Sequence, residues 1–487
     1  DINSGLLRVN DGQGNIYRTQ LISKILCLIA NKTATLDPSG IGIEMEADKP
    51  NWYDALNGLP GLLGSSVSET FELKRLSLFL ADALEEIGIS EEQEILIFQE
   101  LGVFIQGLSD VLSRGMQGQD YWNTSNELKE LYRASIISGI DGKEISITVA
   151  EIKRFLNLVV AKVDKGVGLA RNAKGFLPTY FYHDVVKYKS LKSPIDKNET
   201  YVQPLNFKKH ALPLFLEGYV HALRVEKDQQ QARKLYQQVR KSDLFDKKLK
   251  MYKVNASLLS ESEEIGRARI FPSGWLENGS IWLHMEYKFI LELLRCELYE
   301  EFYENFKSVL VPFLDAKMYG RSILENSSFI VSSAHQDKSL HGQGFVARLS
   351  GSTAEFIHMW LLMNVGKNPF TLNSSGDLQF TLQPALVGWL FTDQKTKFFY
   401  TDRGEKSREI ELPQNTYSFN LFGVTLVVYH NPRRANTFGA EKTLIKEIHL
   451  TYSGKKKPHV ISSGTVSGVY AKDIRDRKVE RIDVFFN

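Results

Sequence analysis

The chain has 487 residues, with 60 Lys+Arg set against 58 Asp+Glu for a net charge of +2. At 43% hydrophobic and 24% charged it is composed like a globular protein, which excludes wholesale disorder and predicts roughly two to four domains. The balanced charge gives no electrostatic reason to expect nucleic acid or a membrane as partner, and Cys27 and Cys296 alone cannot build a disulfide framework, which fits a reducing, cytoplasmic compartment.

The chain opens on Asp1-Ile2-Asn3 with neither an initiator Met nor a basic-then-apolar leader, so the sequence predicts a fragment or processed form. The apolar stretch 21–30 contains Lys24 and is far shorter than the roughly 20 residues a membrane span needs. From 67 to 366 apolar residues recur at three-to-four spacing, beginning with Phe71, Leu73, Leu76, Leu80 and Leu84, and Gly88 stops the run. Ser90 followed by Gln93 reads as a capping box opening a helix over 91–112. Amphipathic runs over 119–137, 148–164, 210–224, 227–241, 281–296, 298–313 and 352–366 predict further helices. After Pro369 the period shortens to two. Leu378, Phe380 and Leu382 alternate with polar residues. Phe419, Leu421, Val424, Leu426 and Val428 form another strand-like run, as do 444–452 and 479–486. The fold class predicted is mainly α with a C-terminal all-β domain, a helical domain over 1–368 and a β-sandwich or jelly roll over 369–487.

Three segments have the composition of a site. The first runs from Gly40 to Gly61 and concentrates Glu44, Glu46, Asp48 and Asp54 beside Trp52 in a loop too rich in Gly, Pro and Asn for a helix. A sugar is suited by such a loop: the indole offers an apolar face, and a partly buried carboxyl can protonate a glycosidic oxygen. A solvated acidic loop with a packing Trp has the same composition. The second segment, around Gly274-Trp275-Leu276-Glu277-Asn278-Gly279, leads into a helix carrying His284; a Glu near a positive helix terminus reads equally well as structural. The third, Ser350-Gly351-Ser352-Thr353-Ala354, offers hydroxyls and backbone N–H groups to an anion at a helix start, or is an ordinary N-cap. The glycines of 9–15 lack a dinucleotide-loop spacing, Lys455-Lys456-Lys457 reads as a basic turn, and His335 and His341 show no metal-ligand spacing.

Taken together, these segments resemble the inverting glycoside phosphorylases of the cellobiose-phosphorylase type, most closely the 1,3-β-oligoglucan phosphorylases. Asn51-Trp52-Tyr53-Asp54 is similar to that family's Asp-Trp-Asn-Asp signature, Glu277-Asn278-Gly279-Ser280 with His284 to its Glu-Asn-Gly-Gly segment, and Ser350-Gly351-Ser352-Thr353-Ala354 to its Thr-Gly-Thr-Ala phosphate loop. Tyr17-Arg18 looks like its Tyr-Arg-Asp segment, with Arg8 upstream where a phosphate-contacting Arg stands. The resemblance implies an (α/α)6 barrel followed by a β-sandwich, and inverting phosphorolysis of β-glucan oligosaccharides to α-glucose 1-phosphate. It makes Asp54 the general acid, assigns Trp52, Arg18 and Glu277 to the sugar, and gives Arg8, His284, Ser350 and Gly351 to phosphate. Inorganic phosphate is then a co-substrate, no metal or organic cofactor is needed, and a homodimer is the family's usual state. Asn51, Tyr53 and Thr19 depart from the pattern, and between Arg18 and Asp54 the chain offers one helix where the family has several, so the barrel is expected to be shortened. An inverting hydrolase using Glu277 or Glu355 as second carboxylate, and a non-catalytic glucan-binding remnant, are the other readings.

Overall fold

The computed structural model describes residues 5–47, 53–192, 200–347, 350–401, 407–455 and 457–487. The protein is a mixed helix and sheet protein whose C-terminal region is rich in sheet. It divides into two compact units, 1–292 with 308–349 and 293–307 with 350–487.

The first unit carries helices α1 (Leu21–Ala34), α2 (Val67–Glu86), α3 (Gln99–Ser113), α4 (Gly118–Ile136), α5 (Val149–Ala170), α6 (Leu216–Val225), α7 (Gln229–Lys241) and most of α8 (Leu283–Arg295). The three-to-four spacing places one stripe of each helix inward. Leu26 and Ile29 of α1, Leu73 and Leu80 of α2, Phe104 and Leu108 of α3 and Phe155 and Val159 of α5 share one core. Phe104 stacks on Tyr132 at 4.6 Å. Thr148 caps α5 in a full capping box with Glu151, supplying partners for the orphan N–H groups at the helix start.

The capping box expected at Ser90 does not form a helix start. Residues 90–93 turn, Glu94–Phe98 pairs as a strand with Glu144–Thr148, and α3 begins only at Gln99. Within the apolar run Ile95-Leu96-Ile97-Phe98 the β-branched Ile95 and Ile97 find cross-strand partners in Ile147 and Ile145, and this pairing overrides the helical reading. A second strand pair lies where only helix was expected: Tyr180–Lys192 and Thr200–Ala211 form a long antiparallel ribbon. It belongs to a four-stranded sheet whose other members are the two-residue strands Ile43–Glu44 and Ser65–Ser66.

In the second unit a five-stranded sheet runs Thr416–Leu421, Thr425–His430, Val479–Phe486, Ile445–Tyr452, His459–Ile461, with its second and third strands parallel. The run expected as one strand from Phe419 to Val428 is a hairpin. Phe422 and Gly423, both left-handed at φ 54° and 70°, turn the chain between Leu421 and Thr425. Helix α9 (Tyr299–Val309) contributes most of its length to this unit and α10 (Ser350–Asn364) all of it. The Tyr429 hydroxyl donates to the Asn364 carbonyl at 2.6 Å, Trp360 meets Phe419 edge-on at 5.5 Å, and Tyr303 stacks on Phe438 at 5.6 Å. The second unit thus takes in 293–307 and α10 together with the strands after 369. Among the described residues no helix is long and apolar enough to cross a membrane.

Candidate functional site

The strands Ile43–Glu44 and Ser65–Ser66 pair with each other, so the acidic segment between them is a loop closed at its neck. Met45 N–H donates to the Gly64 carbonyl at 2.8 Å and continues that closure. Beyond it Asp54 begins a short 3-10 turn, Asp54–Leu56, whose Ala55 and Leu56 are fully buried beside Tyr53 and Leu59. Burial of these neighbours fixes the turn and leaves Asp54, 69% exposed, at the surface. Trp52 and Asn51 lie outside the described residues.

Opposite the turn stands a segment that sequence reasoning did not single out. Ile265 and Ala268 are fully buried in the same core, and Arg267 between them is held outward. Two glycines make the approach close. A Cβ at Gly58 would fall 1.7 Å from the Glu264 carbonyl oxygen, and Gly266, at φ 123°, would meet the Ala55 carbonyl at 2.7 Å. Gly58 N–H donates to the Ile265 carbonyl at 3.2 Å and Arg267 N–H to Asn57 Oδ1 at 3.3 Å.

Arg267 Nη2 thereby lies 3.0 Å from Asp54 Oδ1 and 3.9 Å from Glu277 Oε1. One guanidinium nitrogen reaches two carboxylates, so those two oxygens are at most 6.9 Å apart. Arg267 and Asp54 are both well exposed, and such a pair adds little stability; its effect is to orient. Glu277 differs. Its side chain is 15% exposed, and Oε2 is buried with no hydrogen-bond partner among the described residues. Burial raises its carboxyl above the usual range, and the nearby Asp54 adds to this while Arg267 opposes it. Two carboxylates in unlike environments are the arrangement that acid–base cleavage of a glycosidic bond uses.

The Glu277 loop is a rigid one. Gly274 and Gly279 adopt left-handed φ of 77° and 74°, and the left-handed Leu276, at 45°, carries the strain of a side chain there. Gly274 N–H donates to the Asn278 carbonyl at 2.7 Å, Trp282 Nε1 to the Leu276 carbonyl at 2.9 Å, and Trp275 sits among Phe329 and Phe345. Beneath it, Asn255 is fully buried. Its Nδ2 donates to the Glu277 carbonyl at 2.7 Å and also to the Tyr53 hydroxyl, and its Oδ1 accepts from Gly279 N–H at 2.6 Å. The Tyr53 hydroxyl itself donates to the Glu277 carbonyl. Tyr53 thus ties the Asp54 turn to the Glu277 loop.

Tyr53 also packs edge-on against Phe215 at 5.0 Å, next to Tyr180, whose hydroxyl donates to the buried Glu217. Burial raises the Glu217 carboxyl, with His221 opposing. His221 Nδ1 lies 2.8 Å from Glu72, where burial is outweighed by the His221 and Arg75 hydrogen bonds and the carboxyl falls to about 2. Arg224 completes the network on Glu292 at 2.8 Å.

The other expected site residues lie as follows. His284 is the second residue of α8 and half-buried. Arg8 pairs with Ile16 in a small hairpin and donates to the Gly14 carbonyl at 3.1 Å, while Arg18 is exposed in the extended segment before α1. Neither arginine has a hydrogen bond or ion pair to Asp54, Arg267 or Glu277 among the described residues. Tyr17 donates to Glu144 at 2.7 Å. Ser350 and Gly351 open α10 in the second unit. Among the described residues no group of three or more His, Cys, Asp or Glu is placed to hold a metal ion. Comparison with protein-family models gives no match, and comparison with curated proteins gives none either.

Proposed function

We propose that this chain cleaves β-glucan oligosaccharides by phosphorolysis with inversion. Asp54 protonates the glycosidic oxygen, inorganic phosphate attacks the anomeric carbon from the opposite face, and α-glucose 1-phosphate leaves. The observation that carries this reading is the meeting of Asp54 and Glu277 on one nitrogen of Arg267. Asp54 is exposed enough to reach a bound sugar, and Glu277 is positioned by a fixed loop to accept or share a hydroxyl proton. When Asp54 turns to the leaving oxygen, Arg267 keeps Glu277 as its partner. Trp52 and Arg18 would complete the sugar site, and Arg8 and His284 would contact phosphate, as the motif resemblance implies. On this reading the helices belong to an (α/α)6 barrel shortened at its N-terminal side, the C-terminal sheets form a β-sandwich, and the enzyme is a cytoplasmic homodimer needing no cofactor beyond phosphate.

Inverting hydrolysis on the same scaffold is favoured by one feature, the second carboxylate itself. Inverting hydrolases space their carboxyls about 6.5–9.5 Å apart to admit water, and a separation of at most 6.9 Å between these two oxygens admits only the lowest part of that range, so the hydrolase needs Asp54 to swing outward. Incubation with laminari- and cello-oligosaccharides, with and without phosphate, separates the two. Glucose 1-phosphate formed only with phosphate supports phosphorolysis; reducing sugar released without phosphate selects the hydrolase; oligosaccharide binding without turnover leaves only a glucan-binding protein.

A further inference from the structure

The turn following α1 builds a second polar constellation that shares no residue with Asp54, Arg267 and Glu277. Asp37 is fully buried there. Its carboxylate accepts from the N–H groups of Ser39 at 2.9 Å, Ile41 at 3.0 Å and Gly42 at 2.9 Å, and from Ser65 Oγ at 2.6 Å. Four donors saturate it, so Asp37 serves as the frame of the turn and not as a proton carrier. What the frame presents is Ser39, half-buried, with Oγ 2.9 Å from His183 Nε2.

The far side of the imidazole fixes its tautomer. His183 Nδ1 faces the Leu63 carbonyl at 3.4 Å, and a carbonyl only accepts. Nδ1 therefore holds the proton, assigned from this geometry, and Nε2 offers its lone pair to the serine hydroxyl. The ring is 3% exposed and edge-on to Phe207 at 6.2 Å, and burial lowers its affinity for a second proton against the pull of Asp37 and the Leu63 carbonyl. Nucleophile, neutral base and orienting acceptor stand in line, the arrangement that activates a hydroxyl for attack. A cation stands close by. The Lys162 ammonium borders Gly40, 3.4 Å from where a Cβ on that residue would lie. It is anchored by the Met116 carbonyl and Gln117, each at 3.2 Å, over the Tyr121 ring.

We propose that Ser39 and His183 form a second reaction centre, a nucleophile and base that accept the acyl group of small activated carboxylic esters. The Ser39 Oγ–carbonyl carbon bond forms as the hydroxyl proton passes to His183 Nε2. The ester C–O bond breaks and the alcohol departs with that proton. Water, deprotonated by the same nitrogen, then hydrolyses the acyl-serine, releasing the carboxylic acid and restoring the hydroxyl.

A fluorophosphonate probe followed by peptide mass spectrometry tests this, with p-nitrophenyl acetate turnover as the second readout. The expected result is one adduct, on Ser39, absent from Ser39→Ala, and a labelling rate at least about 100-fold lower in His183→Gln. Because His183 is buried and its variant can misfold, Ser39→Cys gives an independent readout. The thiol introduced by that substitution should react with iodoacetamide faster than Cys27 or Cys296. No adduct, an adduct that persists in Ser39→Ala, or an introduced thiol no faster than the native two overturns the proposal.

Discussion

Asn255 joins three chain segments with one side chain. Replacing it with Ala strands the Gly279 N–H in the interior, where an unmet group costs about 1–3 kcal/mol, and leaves the Glu277 carbonyl to Tyr53 alone. Asn255→Ala should therefore melt several degrees lower and lose turnover, measured by calorimetry and glucose 1-phosphate release. Tyr53→Phe removes one hydroxyl and should cost about 1 kcal/mol. Glu277 makes a prediction of opposite sign. Its folded carboxyl is raised by burial, so between the unfolded value near 4.5 and the raised one the folded state holds more protons than the unfolded. Folding stability then falls as pH rises through that window. Glu277→Gln, which never ionises, should melt higher than wild type at about pH 8, with the gap closing near pH 4. An equal shift at both pH values would contradict it. Arg267 had no sequence signal: an exposed arginine in a short polar turn looks like any other, and only the buried Ile265 and Ala268 beside it reveal its direction. Asp54 and Glu277 could be singled out because their loops concentrate Gly, Asn and aromatic residues; their meeting could not, since it depends on contacts remote in sequence.

At the scale of elements, the site depends on how closely the Asp54 turn approaches the Arg267 turn. Gly58→Ala places a methyl 1.7 Å from a carbonyl oxygen, so one backbone must retreat. The expected outcome is a loss of about 1–3 kcal/mol with a disproportionate fall in activity. A neutral effect on both would mean the two turns are not held together. Helices α4, α5 and α7 were legible from periodicity alone, and the true capping box at Thr148 lies where one predicted run begins. The segment 91–98 misled because Ser90 and Gln93 mimic a cap, while the β-branched run after them needs Ile145 and Ile147 to declare itself. The hairpin at 416–430 did carry a sign of its turn. The apolar residues read as one run sit on odd numbers at Phe419 and Leu421 and on even ones at Val424, Leu426 and Val428, a change of parity that one continuous strand cannot make.

For the whole molecule, the two units each close their own core, and both are discontinuous in sequence. Its sheet uses α10 to cover Phe419 and Tyr429, and Tyr303 of α9 to cover Phe438. A fragment of 369–487 exposes these aromatics and should fail to unfold cooperatively, with raised binding of a hydrophobic dye; a fragment with a sharp melt would contradict this. Balanced net charge concealed a local contrast: the carboxylates of Asp54 and Glu277 gather around one cation, while buried Glu217 and Glu292 and half-buried Glu72 meet His221 and Arg224. The most direct measurement runs the proposed reaction backwards. Phosphate release from α-glucose 1-phosphate and a β-glucan acceptor should be readily detected for the wild type and fall by about 100-fold or more in Asp54→Asn, because glycosyl transfer then lacks its proton carrier. Phosphate release undiminished in Asp54→Asn, or absent from the wild type with every acceptor, would contradict the account.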